Sequence, residues 1–254
     1  MTDTGREVFF LYPPSVLQDQ LVQIVVRAEY ELYLLKDHRV VRSVLANYPN
    51  AILFVNIDEK ITDSTWEEFI NGVMSDERTA SVRIGILSYN NDPELAKRYL
   101  IDLSVPCGFI QLKLGLKESA RILLTVLEAN EARGKRKYVR APIPEKSKVT
   151  FNIKVGRDLV KGRIRDISVA GMACTFDHGN PIAQSGTIDD LQLNLRGVHI
   201  RVGGRIAGSR KTDEGVVYVV LFDALDSDTR GKLHAFIHAT LQANMDARVA
   251  AFAR

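Results

Sequence analysis

Residues 116–155 read LKESARILLTVLEANEARGKRKYVRAPIPEKSKVTFNIKV, and the hydrophobic period changes inside this stretch. Leu116, Ala120, Leu123, Leu124 and Leu127 recur at three- and four-residue spacing, which predicts an amphipathic helix from Leu116 to Arg133. From Val149 the alternation V-T-F-N-I-K-V has a period of two, as a half-buried strand requires. Between the two periods the chain turns basic. Gly134 is positioned to end the helix, and Pro142 and Pro144 favour extended backbone. A domain boundary at Gly134 follows, with domains at 1–133 and 134–254 and an arm at 134–146.

Upstream of that boundary, continuous apolar runs alternate with amphipathic stretches. VFFLYP precedes SVLQDQLVQIVVRAE, YELYLLKD precedes HRVVRSVLANYP, and AILFVNID precedes DSTWEEFINGVMSD. SVRIGILSYN, DPELAKRYLIDL and VPCGFIQLKL then lead into the helix at Leu116. Apolar strands separated by helices of this length predict βαβ units around a buried parallel sheet, because each parallel pairing needs a crossover. Five such units make a doubly wound α/β domain. Downstream, KVTFNIKV, LVKGRIRDIS, GMACTF, GTIDDLQLNL, VHIRVGGRIAG and GVVYVVLF are short and rich in β-branched residues, with turns such as VGRD and RKTDEG between them. Six strands in so short a space predict a small antiparallel barrel, which removes its edges by closing. A last helix follows, with Leu233, Phe236, Ile237 and Leu241 on one face.

The length of 254 residues suits two domains of this kind. No apolar run is long enough to cross a bilayer, and MTDTGREVFF lacks the features of a secretory signal, so a cytoplasmic protein is expected. Cys107 and Cys174 sit far apart in apolar strand contexts and read as small buried hydrophobes, neither disulfide nor zinc ligands. The net charge of +3 argues against bulk nucleic-acid binding, but its distribution is uneven. Residues 131–165 carry 12 Lys or Arg against 3 Asp or Glu, which is where an anion is expected to meet the chain.

Two motifs stand in this basic region. Arg136-Lys-Tyr-Val-Arg140 precedes the first barrel strand, and Asp166-Ile-Ser168-Val-Ala-Gly171 lies between the second and third. Alone, the first reads as a solvated basic linker and the second as a turn held by an Asx or Ser hydrogen bond. Their joint occurrence, about thirty residues apart, resembles the PilZ domain, a bacterial receptor for cyclic di-GMP with an RxxxR and a [D/N]xSxxG motif. The chemistry agrees with the resemblance. A guanine Hoogsteen edge presents N7 and O6 as paired acceptors, and a guanidinium fork donates to these or to phosphate. Asp166 can accept from guanine N1 and N2 hydrogens, Ser168 adds a hydroxyl, and Gly171 permits close backbone approach.

The resemblance implies that Arg136 and Arg140 grip phosphates and bases from a flexible arm, while Asp166, Ser168 and Gly171 form the facing surface. Family members that bind a stacked ligand dimer carry arginine immediately before the motif; here that residue is Lys135, and one or two ligands remain open. Arg133, Lys137, Arg163 and Arg165 are candidates to extend the anion site, with solvated surface the favoured reading of each.

In element order the first domain resembles a response-regulator receiver. Such a domain needs an acidic pair after strand one and an acceptor aspartate after strand three to hold magnesium. Here strand one runs into Tyr12-Pro13-Pro14, and Asn56 stands near the acceptor position with Asp58 two residues on. Ser88 and Lys113 fall where receivers keep a hydroxyl and a lysine, but without the acids a degenerate domain used for contacts is expected. No Gly-rich phosphate loop follows any strand, so a dinucleotide-binding reading has no support. Trp66 and its aromatic neighbours fit a helix packing face. His234 and His238 have i, i+4 spacing, but with no third ligand they read as surface residues.

The expectation is therefore a non-enzymatic, cofactor-free cyclic di-GMP receptor that acts through a downstream protein partner. Neither nucleic acid nor a membrane span is expected, and the tail ANMDARVAAFAR offers apolar positions for self-association. A nonspecific polyanion-binding adaptor and a phosphorylated regulator are the competing readings.

Overall fold

A computed structural model describes residues 5–14, 18–61, 63, 65–155, 157–177, 186–213 and 215–252. The expected helix start at Ser15, the turns containing Gly156 and Glu214, and the last two tail residues lie outside the described residues. The chain divides into two units, one of Met1–Lys137 with Gln242–Arg254 and one of Tyr138–Leu241.

In the first unit, β1 (Val8–Leu11), β2 (Leu32–Leu35), β3 (Ile52–Asn56), β4 (Arg83–Ser88) and β5 (Phe109–Gln111) form a parallel sheet in the order β2-β1-β3-β4-β5. The helices between them are α1 (Gln18–Arg27), α2 (Val41–Leu45), α3 (Trp66–Ser75) and α4 (Pro93–Lys97), followed by α5 (Leu116–Ala129). Every residue of β1 and β3 is buried, as a sheet covered on both faces demands. Val8, Phe10, Ile52 and Phe54 point to the side where Leu21 and Val25 of α1 and Leu123 and Leu127 of α5 complete one core cluster. This is the doubly wound arrangement that the alternating pattern predicts.

Local chemistry sets the helix ends. Thr65 accepts from the Glu68 N–H at 3.2 Å while the Glu68 carboxylate accepts from the Thr65 N–H at 2.9 Å, a reciprocal capping box that starts α3. At α5 the structure corrects the expected end. The helix stops at Ala129, not at Arg133, because Glu131 takes a left-handed conformation (φ 52°). The Glu131 N–H donates to Glu128 and the Ala132 N–H to Leu127, both at 3.0 Å. This 5→2 and 6→1 pair closes the helix without a glycine, so Gly134 is not the terminator. Arg133, expected as solvated surface, lies over the Tyr30 ring at 5.1 Å and donates to the Ala28 carbonyl.

In the second unit, β6 (Ala141–Pro142) is followed by β7 (Val149–Val155), β8 (Asp158–Ser168), β9 (Gly171–Phe176), β10 (Thr187–Leu195), β11 (Val198–Thr212) and β12 (Gly215–Phe222). The antiparallel order β8-β7-β10-β11-β12-β9 closes on itself through β8–β9, a six-stranded barrel with β6 as a short addition to β8. Alternation fills the interior: Val149, Phe151 and Ile153 of β7 are all buried, with Phe151 against the Phe176 ring and Phe176 against Tyr218. A buried phenylalanine of this kind contributes about 2–3 kcal/mol.

The long α6 (Ser227–Phe252) comes last. Its first part belongs to the barrel unit, where Arg196 lies over the Phe236 ring at 5.9 Å. From Gln242 onward it belongs to the first unit. There the Gln242 side-chain amide accepts from the Leu34 N–H at 2.8 Å and donates to the Leu34 carbonyl at 3.0 Å, supplying the edge strand β2 with a substitute backbone partner. His234 is buried and His238 mostly so, which corrects the surface reading; they join the stripe of Leu233, Ile237 and Leu241. Among the described residues no helix is long and apolar enough to cross a membrane.

Candidate ligand-binding site

The second motif sits where β8 turns into β9. Ser168 pairs with Gly171 across the turn, its hydroxyl donating to the Gly171 carbonyl at 3.2 Å and accepting from the Ala170 N–H at 3.3 Å. Ser168 is buried, so this hydroxyl fastens the hairpin. Gly171 has a packing reason of its own: a Cβ there would lie 2.2 Å from the Val220 carbonyl oxygen on β12. The closing hairpin therefore needs a glycine at this position.

A bulge precedes the turn. Ile164 pairs with Cys174 but Asp166 with Ala173, so Arg165 is an extra residue. Ile164 and Ile167 are both buried, which leaves Arg165 and Asp166 successively on the outside. Without the bulge, a period of two would send one of them into the core.

The arm joins this surface through a strand that periodicity does not reveal. Ala141 pairs with Ile167 and Pro142 with Asp166, and the Ile143 N–H donates to the Arg165 carbonyl at 2.7 Å. Pro142 is tolerated because β6 is an edge addition. The register sets Arg140 opposite Ser168 and diagonal to Asp166. Its guanidinium Nη1 lies 3.7 Å from the Asp166 Oδ1, with Arg140 half exposed and Asp166 one-third exposed. Arg140, Asp166, Ser168 and Gly171 are thus brought together. Lys135 and Arg136 are exposed and precede Tyr138, where the barrel unit begins.

The carboxyl end of the parallel sheet is arranged differently. Tyr12, in a left-handed conformation (φ 51°), places its hydroxyl 3.0 Å from His38 Nδ1, and His38 Nε2 lies 2.6 Å from the Asp63 carboxylate. That hydrogen bond holds the Asp63 carboxyl below the usual carboxylate range. Asn56 is buried and donates to the Tyr12 carbonyl at 2.8 Å. Asp58 accepts from the Ser88 hydroxyl at 2.5 Å and from the Tyr89 N–H at 2.7 Å. Trp66, Phe69 and His38 pack edge to face beside Tyr12. Lys113 is exposed. Among the described residues no group of three His, Cys, Asp or Glu could hold a metal ion. Burial pushes the Cys107 and Cys174 thiols up to about 11 and about 12, so neither is a nucleophile near neutral pH.

The second unit is thus a closed barrel with a basic arm strand laid beside a D-x-S-x-x-G hairpin. Residues 134–239 match the family described as the PilZ domain. Among solved structures, the chain is similar to the PilZ domain with c-di-GMP of YcgR from Escherichia coli, at 13% identity and TM-score 0.39, over 46% of this chain and 97% of that one. It is similar to the K. pneumonia MrkH–c-di-GMP complex at 14% identity and TM-score 0.37, over 46% of this chain and 56% of that one. A signal receiver domain of an HD domain-containing protein from Pseudomonas fluorescens Pf-5 is similar at 13% identity and TM-score 0.42, over 51% of this chain and 92% of that one. No curated protein matches the chain.

Proposed function

We propose that the protein is a cyclic di-GMP receptor and not an enzyme. Arg140 and Arg136 hold phosphate and guanine oxygen and nitrogen acceptors, Asp166 accepts from guanine N1 and N2 hydrogens, and Ser168 and Gly171 keep the hairpin beneath them in shape. Lys135 adds charge at the start of the arm.

The observation that carries this reading is the approach of Arg140 to Asp166 across the β6–β8 pairing. At 3.7 Å, with both groups partly in water, the pair contributes at most about 1 kcal/mol. A ligand offering both an anion and a hydrogen-bond donor edge can replace it with stronger bonds to each partner. The PilZ match over 134–239 supports the same ligand class. Residues 134–146 are the arm, and they also lead from the first domain into the barrel. A ligand that orders them restricts the freedom of the connection and presents a changed surface to a downstream protein.

Isothermal titration of the full chain with cyclic di-GMP tests the reading. Binding in the micromolar range or tighter is expected, weakened by about 10-fold or more in Arg140→Ala. Absence of binding, or equal affinity in the variant, would overturn it.

A further inference from the structure

On the outside of the barrel, the pairing registers of β8, β7 and β10 set polar side chains in rows. Arg163, Thr150 and Asn194 form one row, because Thr150 pairs with Arg163 on one side and Asn194 on the other. Lys161, Asn152 and Gln192 form the next, and Leu159 with Lys154 a third. Phe151, Ile153, Ile164, Leu191 and Leu193 alternate with these residues and are buried, so the rows lie wholly on the outer face. Neighbours stand about 5 Å apart across the strands and about 7 Å apart along them.

Charge is one-sided within the rows. They hold Lys154, Lys161 and Arg163 and no carboxylate; Asp190 precedes them on β10, and Asp177 follows β9, its N–H donating to the Lys161 carbonyl at 3.0 Å. Asp190 is already taken, by Arg201 in a fork at 3.0 and 2.7 Å and by the Gln192 amide at 2.8 Å, and these bonds hold its carboxyl below the usual carboxylate range. Asp177 meets Arg163 only at 3.9 Å, and Arg163 stays 73% exposed. Among the described residues no ion pair engages Lys154 or Lys161, and the side chains of Thr150 and Asn152 between them make no hydrogen bond. Leu159 adds an exposed apolar contact at the corner.

Cations spaced by about 7 Å, with amide and hydroxyl groups between them, complement an extended acidic polypeptide. Alternate residues of such a chain carry carboxylates on one side at the same spacing, and its backbone N–H and C=O groups suit the Asn152 carboxamide, which both accepts and donates. Nucleic acid is a poorer match, because the rows hold no aromatic side chain on which a base could stack. A membrane surface asks for an apolar face to insert, and Leu159 stands alone.

We infer that the outer face of β8, β7 and β10 is a docking surface for an acidic segment of a partner protein, with Lys154, Lys161 and Arg163 meeting carboxylates and Asn152 meeting backbone. The inference goes beyond the cyclic di-GMP reading and does not depend on it, since neither the arm arginines nor Asp166 takes part.

Fluorescence anisotropy of a short, labelled poly-L-glutamate with the full chain, at low salt and without cyclic di-GMP, tests it. Binding is expected in wild type, weakened about 10-fold by Lys154→Glu or Lys161→Glu and about 3-fold by Asn152→Ala, which leaves the charge as it was. Arg210→Glu on β11 and Lys117→Glu on α5 are expected to stay within about 2-fold of wild type. No binding, unchanged affinity in the two lysine variants, or an equal loss in the two controls would overturn the inference. So would tighter binding of duplex DNA or of phosphatidylserine vesicles with the same dependence on Lys154 and Lys161, which would assign the face to nucleic acid or to a membrane. Each of these results leaves the cyclic di-GMP reading standing, because that reading fails only by its own titration.

Discussion

The carboxyl end of the parallel sheet and the arm edge of the barrel both gather polar and charged side chains, but they treat them in opposite ways. At the sheet, Asp58 is held by Ser88 and Tyr89 at 2.5 and 2.7 Å, Asp63 by His38 at 2.6 Å, and Asn56 closes onto the Tyr12 backbone. At the barrel, Arg140 faces Asp166 at 3.7 Å and Arg163 faces Asp177 at 3.9 Å. A network whose members satisfy one another makes rigid structure. Exposed charges left at arm's length keep their strongest interactions for a ligand. The sheet end is therefore a framework of mutually satisfied groups, and the barrel edge holds looser charge pairs.

The largest effect is expected where the site rests on close packing. Gly171→Ala drives a methyl group into the Val220 carbonyl, and chemical denaturation should register a loss of about 3 kcal/mol or failure to fold. Ordinary stability in this variant would mean that the hairpin is loosely held, and the contrast between framework and site would have to be redrawn. A smaller effect is expected at the sheet. Asp58→Ala removes the acceptor for Ser88 and Tyr89 and should cost about 1 kcal/mol in the same measurement, with cyclic di-GMP affinity unchanged. No effect at all is expected from small phosphodonors: acetyl phosphate with magnesium should leave the intact mass of the protein unaltered. An adduct on Asp58 would show that the sheet end still works as an acceptor.

Much of this architecture is legible in the residues. Unbroken apolar runs such as VFFL and ILFVN predict a doubly covered parallel sheet, and all six barrel strands follow from their period of two. What escapes the pattern has physical causes. Two residues, Ala141 and Pro142, are too few to display any period, so β6 is visible only through its pairing. The α5 end is masked because Glu131 adopts a left-handed conformation usually left to glycine or asparagine. His234 and His238 fall on the apolar stripe of α6 by spacing, but polarity alone argues for the surface. Arg140 and Asp166 are found by motif. The bulge at Arg165, which keeps that residue beside Asp166 on the outside, leaves no mark in composition. Nor does the departure of β7 from the β8 edge.

The central claim is that Asp166 reads guanine while the arm arginines hold the anion. Paired titrations of wild type and Asp166→Ala with cyclic di-GMP and cyclic di-AMP test it most directly. The account predicts a preference for cyclic di-GMP in wild type that falls by about 10- to 100-fold in the variant, with cyclic di-AMP affinity unmoved. Equal loss for both ligands, or a preference that survives without the carboxylate, would contradict it.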